Sequence, residues 1–273
     1  MTVPKAVVVT RSEPPGGPLI RELQALGLPV LHWPAIAVAP ADAADLARTL
    51  TRAGSFDWMV LTSGHAVAAV TRALPGAPPG VRIAAVGPAT AAALRARGWP
   101  VELSGEGPGA EGLLRAFERL GIRGRRILYP ASSRALPILS EGLARLGAEV
   151  VRIEAYRTVA GAALDAEACR ATIAREGVAA VTFASPSAVD ELERALGCEH
   201  FQHLLNVAAG VAIGPTTARA LGARGFPPVV AEPHTLHGLA LACDALMRGI
   251  QRGSHHASRG YDAALRAEKR IKS

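Results

Sequence analysis

Along this 273-residue chain, short runs of Val, Ile, Leu and Ala alternate with longer segments whose apolar residues recur at helical spacing. The pattern predicts strands near 6–10, 29–33, 57–61, 82–86, 100–103, 125–129, 148–153, 178–184, 208–213 and 228–231, ten in all. Helices are predicted to begin near Pro18, Asp42, Gly64, Ala89, Gly109, Arg134, Asp165, Pro186, Thr216 and Thr235, with Gly27, Gly98, Gly147 and Gly225 as C-terminal caps. Regular alternation of this kind implies parallel sheets covered by helices on both faces. Five strands per half of the chain make each half a flavodoxin-like unit. Pro34–Ala41 (PAIAVAPA) and Ala155–Ala162 (AYRTVAGA) fall outside the rhythm and are candidate linkers between domains.

The chain also contains itself twice. Ala84–Pro100 (AAVGPATAAALRARGWP) recurs as Val211–Pro227 (VAIGPTTARALGARGFP), identical at 11 of 17 positions. Leu19, Leu23, Leu26, Gly27 and Val30 likewise match Leu139, Leu143, Leu146, Gly147 and Val150, and Ser63, Ala66 and Val67 match Ser185, Ala188 and Val189. The three matches keep their order around the chain. They read as a tandem duplication of a unit of domain size, about a hundred residues.

Hydrophobic content of 49% with only 4% aromatic residues describes a core of small and branched aliphatics, as strands buried on both faces require. The N-terminal apolar run is too short for a signal sequence, and no stretch of about 18 apolar residues exists. The expectation is a soluble, cytoplasmic protein without a membrane partner. Most of the net charge of +7 comes from Arg248, Arg252, Arg259, Arg266, Lys269, Arg270 and Lys272, so the body is nearly balanced and no nucleic-acid partner is expected. The tail is either a solvated extension or an attraction for a polyanionic ligand or surface. Cys169, Cys198 and Cys243 lack zinc-ligand spacing and suit a reducing compartment.

In a doubly wound sheet, ligands sit past the carboxyl ends of the strands. The turns there carry Thr10-Arg11, Thr62-Ser63-Gly64-His65, Gly87-Pro88-Ala89-Thr90, Pro130-Ala131-Ser132-Ser133-Arg134, Ser185-Pro186-Ser187 and Gly214-Pro215-Thr216-Thr217. Each is expected at a helix N-terminus, where free N–H groups and the helix dipole favour anions. Any one Ser or Thr could be a helix cap and nothing more; their repetition in both halves points to anion binding. The glycine signatures of nucleotide sites, HExxH and GxSxG are absent. His200 and His203, and His234 and His237, are read as surface histidines, so neither a metal nor a cofactor is expected.

In this order the motifs resemble those of the uroporphyrinogen-III synthase family. The resemblance rests on the strand ending in Thr10-Arg11, the Leu-x-x-x-Leu-x-x-Leu-Gly helix, Phe56–Ser63 (FDWMVLTS), Ala85–Ala91 (AVGPATA), Glu154–Thr158 (EAYRT), Phe183–Val189 (FASPSAV) and Ala212–Ala218 (AIGPTTA). It implies two flavodoxin-like parallel-sheet domains from an internal duplication, joined by a two-stranded linker with the active-site cleft between them. Residues 1–35 and 163–250 would form the first domain, 42–155 the second, 36–41 and 156–162 the linkers, and 251–273 a basic tail. The implied reaction needs no cofactor. Hydroxymethylbilane, a linear tetrapyrrole with eight carboxylates, loses the ring A hydroxyl as water and closes through a spiro intermediate with ring D inverted. The implied protein is a monomer that receives its substrate from hydroxymethylbilane synthase.

Carried over residue by residue, the resemblance makes Tyr156 the group that assists the leaving hydroxyl, with an interdomain packing residue as the bland alternative. Arg11, Thr62, Ser63, Gly87, Thr90, Arg134, Ser185, Pro186, Ser187, Gly214, Thr216 and Thr217 become substrate-binding candidates. His65 departs from the family, which commonly has Asn or another small polar residue there. A noncatalytic two-lobed binding module, a degenerate synthase paralogue and a two-domain glycosyltransferase are the competing readings; the last would need a nucleotide site and longer domains.

Overall fold

A computed structural model describes residues 5–249 apart from 107, 108, 163 and 176; the basic tail 251–273 lies outside the described residues. In chain order the first elements are β1 (Ala6–Val9), α1 (Pro18–Ala25), β2 (Val30–His32), β3 (Ile36–Pro40) and α2 (Ala43–Leu50). Then come β4 (Trp58–Leu61), α3 (Gly64–Ala73), β5 (Arg82–Ala85), α4 (Pro88–Arg95), β6 (Leu103–Ser104) and α5 (Gly109–Leu120). They are followed by β7 (Arg126–Ser132), α6 (Ile138–Arg145), β8 (Glu149–Ala160), α7 (Ala166–Ala174), β9 (Val178–Phe183) and α8 (Pro186–Leu196). The last are α9 (Cys198–Val207), β10 (Ala209–Ala212), α10 (Pro215–Gly222), β11 (Val229–Val230) and a final helix over 236–249, α11.

The chain divides into two compact units, one holding the described residues up to Ala35 and those after 163, the other Ile36–Ala162. The first contains a wholly parallel sheet of order β11-β10-β9-β1-β2. In chain order within the unit this is 2-1-3-4-5, the flavodoxin arrangement. The second has the order β3-β8-β7-β4-β5-β6, parallel except for β3. When β7 and β8 are matched to β1 and β2, and β4 to β6 are matched to β9 to β11, the two parallel orders coincide. The repeated sequences specify that same match.

Local structure follows the repeat as well. After α1, α4, α6 and α10 a glycine takes positive φ: Gly27 (74°), Gly98 (73°), Gly147 (87°) and Gly225 (84°). The next residue donates its N–H back to the carbonyl five positions earlier, Leu28 to Leu23, Trp99 to Leu94, Ala148 to Leu143 and Phe226 to Leu221. This is the Schellman closure, which needs a residue without a Cβ penalty one position past the cap. Burial then locks the units. Val7, Val9, Leu19, Leu23 and Val211 lie in the core of the first, and Met59, Leu61, Ile83 and Trp99 in one core layer of the second.

The two segments read as linkers pair with each other, as the two-stranded linker of the resemblance implies: β3 runs antiparallel to the far half of β8, from Ile36↔Ala160 to Pro40↔Tyr156, so the described strands number eleven rather than the ten that the periodicity predicts. Three further expectations change. Cys198–Val207 forms a helix that was not expected, burying Phe201, Leu204 and Leu205. The strand expected at 100–103 shrinks to Leu103–Ser104. Finally, α6 begins at Ile138 rather than near Arg134, because Pro137 disfavours helical backbone at Leu136 before it.

Candidate active site

In the second unit the parallel strands end on one rim, and β8 alone runs on past it. Ser132, the last residue of β7, is the register partner of Tyr156, four residues before the end of β8 at Ala160. Level with the end of β7, Tyr156 reaches the residues that follow β4. Its phenolic oxygen lies 3.1 Å from Ser63 Oγ. Ser63 is fixed from the other side because it caps α3, its Oγ accepting the N–H of Ala66 at 3.1 Å. The His65 ring, one residue into α3, sits with its centroid 5.5 Å from that of Tyr156.

Around this pair the polar groups form a connected set. Thr62 hydrogen-bonds the side chain of Tyr129, which is only 3% exposed; burial pushes the Tyr129 phenol up from its ordinary pKa, with the Thr62 bond opposing. Ser132 and Thr158 hydroxyls meet at 2.8 Å, and Ser133 N–H donates to the Tyr156 carbonyl at 2.9 Å. Arg152 donates to the carbonyls of Ser132 and Ser133. Tyr129 and Thr158 were not singled out as functional from sequence, and Ser132 only as one hydroxyl of the turn after β7; polar residues inside an otherwise aliphatic strand were the available signal.

The helix N-termini differ in one respect that decides what each can hold. Ser63 and Ser185 cap α3 and α8 with their own hydroxyls, whereas α4 and α10 open on Gly87-Pro88 and Gly214-Pro215 with no side-chain cap. First-turn N–H groups have no intrahelical acceptor, so no hydroxyl of their own competes with an anion at these two equivalent turns. Thr90 and Thr217 belong to them but are 6% and 3% exposed. The donors those turns offer are therefore chiefly backbone. Thr216 is half-buried and receives a long hydrogen bond from Arg219 at 3.5 Å. Pro186 and Ser187 form the first turn of α8 and are half-buried.

Two arginines are placed otherwise than expected. Arg11 is paired with Glu13 at 2.8 Å, and the Glu13 carboxylate also accepts the N–H groups of Leu19 and Ile20. An internal carboxylate thus occupies the N-terminus of α1, where an external anion was expected. Arg134 does not stand at a helix N-terminus, since α6 starts four residues later; it lies exposed in the turn after β7, its N–H donating to Ser132 Oγ. Among the described residues no group of three or more His, Cys, Asp and Glu could hold a metal ion, and no helix is long and apolar enough to cross a membrane.

Two α/β units whose strand ends carry hydroxyls and helix N-termini without side-chain caps define a doubly wound α/β protein with hydrogen-bond donors past the carboxyl ends of its strands. The chain belongs to the uroporphyrinogen-III synthase family, whose sequence profile, described as uroporphyrinogen-III synthase HemD, matches residues 17–240. A Methanothermobacter thermautotrophicus protein given the same assignment is 30% identical over 246 residues, covering 86% of this chain and 96% of that protein. The uroporphyrinogen-III synthase of Chlorobaculum parvum is 26% identical over 229 residues, covering 81% and 90%. The fold matches the crystal structure of a mutant uroporphyrinogen III synthase from Thermus thermophilus, with a TM-score of 0.59 at 20% identity over 92% of this chain and 99% of that one. Membership makes the chain an enzyme of porphyrin biosynthesis, a cyclising lyase.

Proposed function

We propose that the chain converts hydroxymethylbilane to uroporphyrinogen III, with Tyr156 as the group that assists departure of the ring A hydroxyl. The observation that carries this reading is the contact between Tyr156 and Ser63 at 3.1 Å on the strand-end rim. Because Ser63 Oγ already accepts the Ala66 N–H, its own proton can be donated to the tyrosine oxygen. The phenol hydrogen is then free to go to the substrate hydroxyl. As the C–O bond breaks, water leaves, the pyrrole nitrogen lone pair fills in, and the pyrrole N–H proton returns to the phenolate to leave a neutral azafulvene. The substituted carbon of ring D attacks it, and fragmentation of the spiro intermediate followed by reclosure inverts that ring.

The protein's task in this scheme is to orient and to stabilise charge. The eight carboxylates of the substrate find donors at the uncapped turns Gly87–Thr90 and Gly214–Thr217 and at Ser185–Ser187. Tyr129, its phenol pushed up by burial, stays neutral and adds no charge beside Tyr156. We infer also a monomer acting in the cytoplasm and supplied by hydroxymethylbilane synthase; what supports direct supply is that the linear substrate closes on its own to the wrong isomer.

Ligand-induced stabilisation tests the reading without turnover. Saturating uroporphyrinogen III, kept anaerobic, should raise the melting temperature by mass action. An unchanged melt at saturating ligand counts against it.

A further inference from the structure

Beside Tyr156 the second unit carries an open groove of about 470 Å³ bounded by α2, α3, β3 and β8. Its walls are two helical stripes. On α3, His65, Ala68, Ala69 and Arg72 follow i, i+3, i+4, i+7 spacing and share one face; α2 presents Ala43, Leu46 and Ala47. Facing helices normally fill the space between them with large aliphatic side chains. Here alanine on both sides leaves a slot. Pro40 and its register partner Tyr156 line it from the β3–β8 ribbon.

The slot is apolar along its walls and polar toward its ends. The His65 and Tyr156 rings, 5.5 Å apart, mark one end. Arg72 lies two helical turns further on, about 10 Å along the axis of α3. It is exposed and has no hydrogen bond or ion pair among the described residues. A flat apolar ring with an anionic arm complements this arrangement: the ring against the alanine walls, the carboxylate on Arg72.

Resting on the synthase reading above, we infer that this groove seats the pyrrole ring bearing the leaving hydroxyl, with Arg72 as the positioning residue for a carboxylate of that ring. The occupant is fixed by charge complementarity and by continuity with Tyr156, which borders both the groove and the hydroxyl contact. An arginine in the last turn of α3 also complements the helix dipole, so the test must separate binding from stability. Lysine keeps the dipole effect and most of the charge attraction; glutamine keeps neither.

Steady-state kinetics on hydroxymethylbilane, with melting curves, should be measured for wild type, Arg72→Gln, Arg72→Lys and Ala47→Leu; the last places bulk in the slot from an exposed helix position. Arg72→Gln should raise KM roughly three- to tenfold, the range of a solvent-accessible charge-assisted contact, with kcat little changed. Arg72→Lys should recover most of that, and Ala47→Leu should raise KM at an unaltered melting temperature. If wild type turns over while Arg72→Gln and Ala47→Leu keep its KM, the groove assignment falls and the synthase reading stands. If folded wild type does not accelerate cyclisation, the synthase reading falls and the groove with it.

Discussion

The phenolic oxygen of Tyr156 lies 3.1 Å from the hydroxyl of Ser63, 93 positions away in sequence. The two meet because β8 holds Tyr156 level with Ser132 at the end of β7 and because Ser63 is pinned as the cap of α3. Tyr156→Phe removes the hydroxyl and keeps the ring. It should lower kcat on the order of a hundredfold with KM much less affected, the signature of a lost general acid. Single-turnover rates on folded protein check this; a wild-type rate would reduce Tyr156 to a packing residue.

Ser63→Ala removes both the cap and the tyrosine's partner. Denaturant unfolding should show about 1 kcal/mol of destabilisation, as for other N-cap deletions, together with a fall in kcat. Ser185→Ala, at the matching cap of α8, should cost similar stability. If both variants lose stability and neither loses rate, Ser63 acts as a cap alone.

Gly98 and Gly87 separate backbone strain from access. Gly98 has φ of 73°, and a Cβ there meets nothing within 4 Å, so Gly98→Ala should destabilise by about 1 kcal/mol through its left-handed backbone alone. Gly87 is extended at φ −167°, and a Cβ there also meets nothing within 4 Å. Gly87→Ala should therefore leave the melting temperature in place while raising KM, since a methyl group would crowd the uncapped N–H groups of α4. A Gly87→Ala enzyme with normal KM would remove that turn from the substrate contacts.

How much of this was legible in the sequence depended on the range of the interaction concerned. The Gly-Pro turns could be read because their chemistry is local: proline sets the first helical residue and glycine leaves the approach open. The Schellman glycines were legible for the same reason. Strand β3 was not legible from its own residues and came only with the family resemblance, since PAIAVAPA has weak intrinsic preference and becomes a strand by pairing with residues 156–160. Helix α9 was missed although Phe201, Leu204 and Leu205 show helical spacing, because it follows α8 with only Gly197 between them. The fate of Arg11 was also hidden. Its capture by Glu13 depends on how the Pro-Pro-Gly-Gly turn brings that carboxylate over the start of α1.

Asp57 gives the second unit a pH-dependent tie. The N–H of Arg126 holds its carboxyl below the ordinary aspartate range; burial opposes, and the Arg125 guanidinium at 2.9 Å reinforces the lowering. A folded pKa below the unfolded one contributes stability that is fully present above the unfolded value, near 4, and is lost as pH falls through the folded value. The stability difference between wild type and Asp57→Asn, from urea unfolding, should therefore be largest at neutral pH and shrink below about pH 4. A difference constant down to acid pH would show that the charge is not what ties β4 to β7.

The three cysteines should differ sharply in reactivity. Burial raises the Cys169 thiol to about 11 and the Cys243 thiol to about 12, whereas Cys198 is exposed. Native protein at neutral pH should take up one equivalent of a thiol reagent, located by mass spectrometry on Cys198. Rapid labelling of Cys243 in the native state would contradict its placement in the core.

The central claim is tested most directly by the isomer composition of the cyclised product. Hydroxymethylbilane should be incubated with wild-type protein and with Tyr156→Phe, and the products oxidised and separated. The account predicts predominantly the type III isomer with wild type, formed well above the spontaneous rate, and mostly the uninverted type I isomer with Tyr156→Phe as spontaneous closure overtakes it. Type I alone from folded wild-type protein, at the rate of the protein-free control, would contradict it.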